Sequence, residues 1–463
     1  MKNKNSYNVI NPFNNKIVDQ VPIHSESEIN DILESSFNFK SELKLNDKIE
    51  IFNRIVKKLY KDKNDIAKLI VNETGLSIKS GLYEVKRAIN CFQYCIKEST
   101  KLEETDLTKE FSSDPSLPEL TVHTEPLDLA VGITPFNHPL NLVVHKVGPA
   151  IVAGAPIVIK PSEKTPLTAI KLKEILIDCG LPENFYNVIL GTPPKAITDY
   201  LLSYPNYDLV SFTGGVTVGK YIARKMANSG NEMKKYIPEL GGNAILVIMD
   251  DCDIEVAADL AMGAFENSGQ RCTAVRRILL HTSISKAFKE KFYSLATKIK
   301  YGDPMNVEND MGTVITSEQA DLIYRRVNDA IKEGASLLTG NQVDGAVYSP
   351  TILNNVNPSS EIVQRETFGP VVSIMEINNL DDAIQYIRND RFGLASGIAT
   401  KSKKNAYRLF NNICVGQFSW NGRPGYRTED APFGGFKDSG NGEKEGVVLM
   451  TRALRRIKTF YRH

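Results

Sequence analysis

The stretch PELGGNAILVIMDD, Pro238 to Asp251, is where one alternating series of strands and helices gives way to another. Before it, AVGITP and APIVIKPS read as short buried strands, with the helical LNLVVHKVGPAIVAG between them. PLTAIKLKEILIDCG reads as a helix closed by Gly180, NFYNVILG as a strand and DLVSFTGG as another. After it, AILVIMDD opens a second series with the helix EQADLIYRRVNDAIKEG, the strand-like VVSIMEI, the helix LDDAIQYIRND and the strand LASGIAT. Strands alternating with helices predict parallel sheets covered on both faces. The economical reading is two α/β units joined near residue 240, with no internal repeat and no low-complexity linker.

Outward from that joint, the bulk numbers bound the rest. A chain of 463 residues, 42% hydrophobic and 24% charged, has room for two or three cores. A formal net charge of +1 gives no general attraction to nucleic acid or anionic membrane, so positive charge acting on an anion must be local. No apolar run reaches membrane-span length, and the start MKNKNSYNVINPFNNKIVDQVP has no apolar signal core. The six cysteines, Cys91, Cys95, Cys179, Cys252, Cys272 and Cys414, are scattered, which fits free thiols in a reducing cytoplasm. Cys91 and Cys95 lie one helical turn apart without a second pair to complete a metal site, so core thiols are expected and no metal. In SGLYEVKRAINCFQYCIK, Leu82, Val85, Ile89, Phe92 and Ile96 form one apolar stripe, with Arg87 on a different face. A polar segment around Phe111 to Pro118 then precedes the alternating LTVHTEPLDLAVGITPFN.

Several stretches could carry chemistry. In SGQRCTAVRR, Cys272 follows Arg271, and a neighbouring cation favours the thiolate nucleophile; the competing reading is a buried structural cysteine. In PELGGNA, Glu239 precedes two glycines, which suits either a general base at a pocket or a solvated glutamate. In TPFNHPLN, Pro135 and Pro139 stiffen the backbone around Asn137, a candidate oxyanion donor, and His138, a candidate base or anion partner. FTGGVTVGKY, with Gly214, Gly215 and Gly219, can bring backbone N–H groups to a phosphate. It nearly matches a phosphate loop, but Tyr221 stands where the magnesium-binding hydroxyl is required, which disfavours an NTPase.

Taken together, PFN, KPSE, FTGG, ELGG, GQRC, ETFGP and PFGGFKDSG occur in the order and spacing of the aldehyde dehydrogenase superfamily, which the chain resembles over essentially its whole length. The resemblance implies an α/β aldehyde dehydrogenase fold: a Rossmann-like cofactor domain (1–107 and 127–240), a catalytic α/β domain (241–450) and a β-arm (108–126 and 451–463) that joins a homo-oligomer, dimer or tetramer. It implies that Cys272 attacks an aldehyde, that Asn137 and the Cys272 N–H hold the oxyanion, and that hydride passes to a nicotinamide. Glu239 would then activate the water that hydrolyses the thioester. Thr134, Pro135, Lys160, Ser162, Glu163, Thr213, Gly214, Gly215, Gly219, Leu240, Glu366 and Phe368 match the cofactor positions. Glu163 would repel a 2′-phosphate, which implies NAD, with NADP the alternative. Gly215 departs from the family's usual serine, so one contact at the pyrophosphate passes to the backbone.

By the same resemblance Arg87, His138 and Arg271 border the substrate tunnel, with Arg427 in GYRTEDAPFGG a further candidate. Basic groups converging on a tunnel are costly without an anion, and a guanidinium fork suits phosphonate, phosphate or carboxylate. FNHP together with GQRCTAVRR is most similar to the phosphonoacetaldehyde dehydrogenase branch, so oxidation of phosphonoacetaldehyde to phosphonoacetate is the expected reaction. The competing readings are non-phosphorylating glyceraldehyde-3-phosphate, succinate semialdehyde or lactaldehyde oxidation, and, from a different class, a non-catalytic structural relative. The anion preference requires the basic groups to face the cleft without acids already neutralising them.

Overall fold

A computed structural model describes residues 5–111, 118–230 and 232–463. The chain opens with the hairpin β1 (Ser6–Ile10) and β2 (Ile17–Pro22), followed by α1 (Glu26–Asn38), α2 (Leu45–Lys61), α3 (Lys63–Thr74) and α4 (Ile78–Glu104). After β3 (Glu119–Pro126) comes the first alternating series: β4 (Ala130–Ile133), α5 (Asn141–Ala153), β5 (Ile157–Lys160), α6 (Leu167–Asp178), β6 (Tyr186–Val188), α7 (Pro194–Ser203), β7 (Leu209–Thr213), α8 (Val216–Ala227) and β8 (Lys235–Glu239). These strands form a parallel sheet in the order β6-β5-β4-β7-β8. AVGI of β4 and IVI of β5 are buried, as strands covered on both faces must be.

Five residues after β8 the chain enters the second sheet through β9 (Ala244–Ile248), which pairs with β10 (Val275–His281) on one side and with Ala395–Ala399 on the other. Val371–Ile377, Thr351–Asn354, Gln417–Trp420 and the antiparallel edge strand Ser336–Thr339 complete seven strands. The turn between β8 and β9 is therefore the joint between the sheets. Its glycines are sterically required: a Cβ on Gly242 would overlap the Cys272 carbonyl oxygen, and one on Gly241 would overlap the Glu366 carboxylate.

Some placements differ from the sequence reading. Leu82 is exposed, whereas Arg87 is buried. The α4 helix packs against α2, α3 and α5 together, so its buried face extends from Gly81 and Val85 to Arg87, Ala88, Cys91 and Phe92. The helix Val447–Ala453 packs on α5 and α4, where Val447, Met450 and Leu454 join the first sheet's apolar cluster. Arg455–Arg462 then pairs antiparallel with β3 over its whole length, so the ribbon begins at Arg455 and not at residue 451. Residues 112–117 of the expected arm lie outside the described residues. Among the described residues no helix is long and apolar enough to cross a membrane.

Candidate active site

In the first sheet, β4 is followed outward by β5 and β6 on one side and by β7 and β8 on the other, so β4 and β7 border the topological switch point. At their carboxyl ends lie Thr134 and Pro135, and Thr213, Gly214 and Gly215, with Gly215 capping the start of α8. The parallel register sets Glu239 beside Thr213. The second sheet contributes Cys272, just ahead of β10, and Glu366 and Phe368, just ahead of Val371–Ile377. One cleft therefore brings together Pro135, Asn137, Glu239, Leu240 and Cys272, along with Glu366, Phe368 and the Thr213–Gly215 turn. Thr134, Lys160, Ser162 and Glu163 sit at the same sheet end but outside the walls of that cleft. Gly219 is not a wall either: it lies one turn into α8, against Leu240.

The nucleophile loop is held by side chains from both sheets. Asn267, Ser268 and Gly269 are all left-handed, with φ of 57°, 53° and 67°. Asparagine and glycine tolerate that region; serine does so at a cost, and strain of this kind needs a surrounding frame. Asn267 donates to the Asn137 carbonyl at 3.1 Å, and Asn137 Nδ2 donates to the Gln270 carbonyl at 2.8 Å. Buried Arg276 donates to the Gly369 carbonyl at 2.5 Å, to the Gly269 carbonyl, and to the Arg271 carbonyl at 3.2 Å. On the other side, the buried Glu84 carboxylate accepts the Leu140 and Asn141 N–H groups at 2.8 and 3.0 Å, fixing the loop that carries Asn137.

Proton affinities at the site run high. Enclosure in the cleft, then the nearby Glu366, push the Cys272 thiol up to about 12; Arg427 and Arg271 pull it down without prevailing. The expectation that Arg271 stabilises a resting thiolate is thus corrected, because desolvation of the sulfur outweighs the cation. Glu239 is buried, neither carboxylate oxygen has a hydrogen-bond partner among the described residues, and burial raises its pKa well above the ordinary range, helped by Glu445. Burial likewise raises Glu366 to about 7. Glu445 moves the other way: against the opposing effect of burial, its ion pair with Lys146 holds the carboxyl low.

The basic residues named from the sequence all border this space, but most are already matched. Arg87 makes a two-pronged pair with Glu429, at 2.7 and 3.0 Å. His138 Nδ1 lies 3.4 Å from Glu84 and its Nε2 3.4 Å from Asn267; burial lowers its pKa against the pull of Glu84, so the imidazole is neutral. Arg271 is ion-paired with Glu266. The expectation that Arg87, His138 and Arg271 stand as free cations is not met: Arg87 pairs with Glu429, far away in sequence, Arg271 with nearby Glu266, and His138 is neutral. Arg427 differs. Among the described residues it has no carboxylate partner; its guanidinium lies 4.0 Å over the Phe433 ring and 3.4 Å from His145. The residues that sequence reading missed are Glu84, Asn267, Arg276, Glu429, Lys146 and Glu445. Of these, Glu84, Lys146, Arg276 and Glu429 stood in quoted stretches, where nothing local marks their partners.

The cleft suits a dinucleotide. It lies at a switch point, the Thr134 hydroxyl is buried without a partner among the described residues, and open space surrounds the place where a Gly215 side chain would be. A model of the aldehyde dehydrogenase family matches residues 1–459. A sulfoacetaldehyde dehydrogenase from Neptuniibacter caesariensis is 33% identical over 468 residues, covering 98% of this chain and 99% of its own. A 3-sulfolactaldehyde dehydrogenase from Priestia aryabhattai is 32% identical over 440 residues, covering 95% and 91%. The crystal structure of an NADP-dependent glyceraldehyde-3-phosphate dehydrogenase from Bacillus halodurans C-125, complexed with NADP, has a TM-score of 0.92 at 28% identity, covering 99% of this chain and 96% of that one.

With the Cys272 thiol at about 12, its alkylation by iodoacetamide in the free protein should quicken about tenfold per pH unit between pH 7 and 9. A plateau below pH 8, followed by mass spectrometry of the Cys272 peptide, would contradict that assignment.

Proposed function

Because the chain belongs to the aldehyde dehydrogenase family, it is an NAD(P)-dependent aldehyde dehydrogenase, and we propose that its substrate is an aldehyde whose tail carries a single negative charge. Arg427 carries this reading: it is the one named tunnel cation left without a carboxylate among the described residues, and it borders the same cleft as Cys272. A half-buried cation without a carboxylate partner is costly, and one anionic group from the substrate offsets that cost. Sulfonate and carboxylate tails carry one charge. The sulfonate relatives agree with this, each acting on its own named aldehyde. Phosphonoacetaldehyde and glyceraldehyde 3-phosphate, with doubly charged tails, ask for free cations that Arg87, His138 and Arg271 do not offer. Lactaldehyde, with no charge, leaves Arg427 unmatched; succinate semialdehyde belongs with the favoured class.

In the proposed reaction Glu239, in its ionised form, takes the Cys272 thiol proton as sulfur bonds to the aldehyde carbon. Asn137 Nδ2, with one hydrogen free beyond its bond to Gln270, and the Cys272 N–H stabilise the resulting oxyanion. A bound nicotinamide would supply the hydride acceptor, and Cys272 would then hold the acyl group as a thioester. Glu239, once it has released that proton to solvent, takes one from water; the water oxygen attacks the thioester carbonyl, the C–S bond breaks, the sulfur recovers a proton from Glu239 and the acid departs. The raised pKa of Glu239 makes it a strong base once ionised.

For the cofactor, Thr134, Pro135, Thr213, Gly214 and Gly215 would hold the pyrophosphate beside α8, with Gly219 and Leu240 packing behind them. Lys160, Ser162 and Glu163 would face the adenine ribose, and Glu366 and Phe368 the nicotinamide end. Glu163 favours NAD by repelling a 2′-phosphate. The ribbon of β3 with Arg455–Arg462 exposes Ile457, Phe460 and Tyr461, which supports a homo-oligomer formed through that ribbon. Six free cysteines support a reducing, cytoplasmic setting.

Steady-state kinetics across sulfoacetaldehyde, succinate semialdehyde, phosphonoacetaldehyde and lactaldehyde should rank the singly charged substrates first. Arg427→Ala should then cost about 2–4 kcal/mol in kcat/KM for the charged substrates and little for lactaldehyde. Equal losses on both would leave Arg427 without a role in tail recognition. Glu163→Gln should raise kcat/KM with NADP about tenfold while changing NAD use little.

A further inference from the structure

A second cavity adjoins the inner cleft, sharing Arg271 and Arg427 with it and lined by Tyr83, Glu266, Arg423 and Tyr426 as well. Glu266 stands between two guanidinium groups. One carboxylate oxygen pairs with Arg271 and the other with Arg423. Arg423 has a second, looser acid partner in Asp259, at 3.3 Å. The carboxylate thus occupies the place that a bidentate anion would take between two arginine forks. Glu266 is about one-third exposed and Arg271 less so, so both face the mouth without lying in bulk solvent.

We infer that Glu266 is a specificity-determining residue: an internal counter-anion that neutralises the mouth of the tunnel and so excludes substrates with doubly charged tails. This rests on the reading that the substrate tail is anionic. With Glu266 in place, an arriving phosphonate meets one carboxylate at close range and finds Arg271 and Arg423 already engaged. Its second charge is then desolvated without compensation. A sulfonate or carboxylate tail needs only Arg427, further in. Rejection of the dianion comes from a repulsive group, the usual means by which a site discriminates between ligands of similar shape. Removing the charge of Glu266 while keeping its shape would leave two guanidiniums facing the mouth.

The test uses sulfoacetaldehyde and phosphonoacetaldehyde, which share a carbon chain and differ in tail charge, with propionaldehyde as the uncharged comparison. The readout is the ratio of kcat/KM for the phosphonate to that for the sulfonate. Glu266→Gln should raise this ratio at least about tenfold. Arg423→Gln, which withdraws a cation and leaves Glu266 in place, should lower it. A ratio unchanged within about twofold in both variants, in an enzyme that still prefers sulfoacetaldehyde to propionaldehyde, overturns the role of Glu266 and leaves the anionic-tail reading standing. A wild-type enzyme that handles propionaldehyde as well as sulfoacetaldehyde overturns both.

Discussion

Charge matching in a desolvated cleft is the constraint on which the rest of this structure depends. Every cation brought near the sulfur must be paired or leave its desolvation cost unpaid. The fold satisfies this with acids from distant elements for Arg87 (Glu429) and Lys146 (Glu445), and with nearby Glu266 for Arg271. Arg427 is left over. The same matching sets the chemistry, because desolvation of the sulfur outweighs the pull of Arg427 and Arg271, and burial raises the proton affinity of both Cys272 and Glu239.

Position follows from a second requirement, that a loop from one sheet and a loop from the other meet without clash. Gly241 and Gly242 let the β8–β9 turn pass against Glu366 and Cys272 with no side chain between. Asn267 and Asn137 then tie the two loops together through backbone carbonyls, and Arg276 clamps the strained nucleophile loop from beneath. A left-handed run of three residues persists because these bonds leave it no alternative.

The alternation of strands and helices, the joint near residue 240 and the placement of Cys272, Glu239 and Asn137 in one cleft were legible because they depend on local pattern and on motifs in order. Strand interiors such as AVGI and AILVI announce burial by composition alone. What the sequence could not disclose was partnership. Arg87 and Glu429 lie 342 positions apart, and nothing local to either reveals the pair. The face of α4 was misread at Leu82 and Arg87 because a helix packed on several neighbours buries more than one stripe, and a guanidinium with a waiting carboxylate can be buried where an unpaired one cannot. The cation beside Cys272 was read as a free partner for a substrate anion for the same reason: Glu266, in the adjoining sequence, did not declare that it would pair with Arg271.

The central claim, that the tunnel offers one uncompensated positive charge, is tested most directly by the pH dependence of inhibition by methylphosphonate, whose tail passes from singly to doubly charged while Arg427 stays protonated. Inhibition competitive with the aldehyde should weaken as the second proton is lost, whereas methanesulfonate, singly charged throughout, should show no such change. A methylphosphonate that binds more tightly as the dianion would contradict the account.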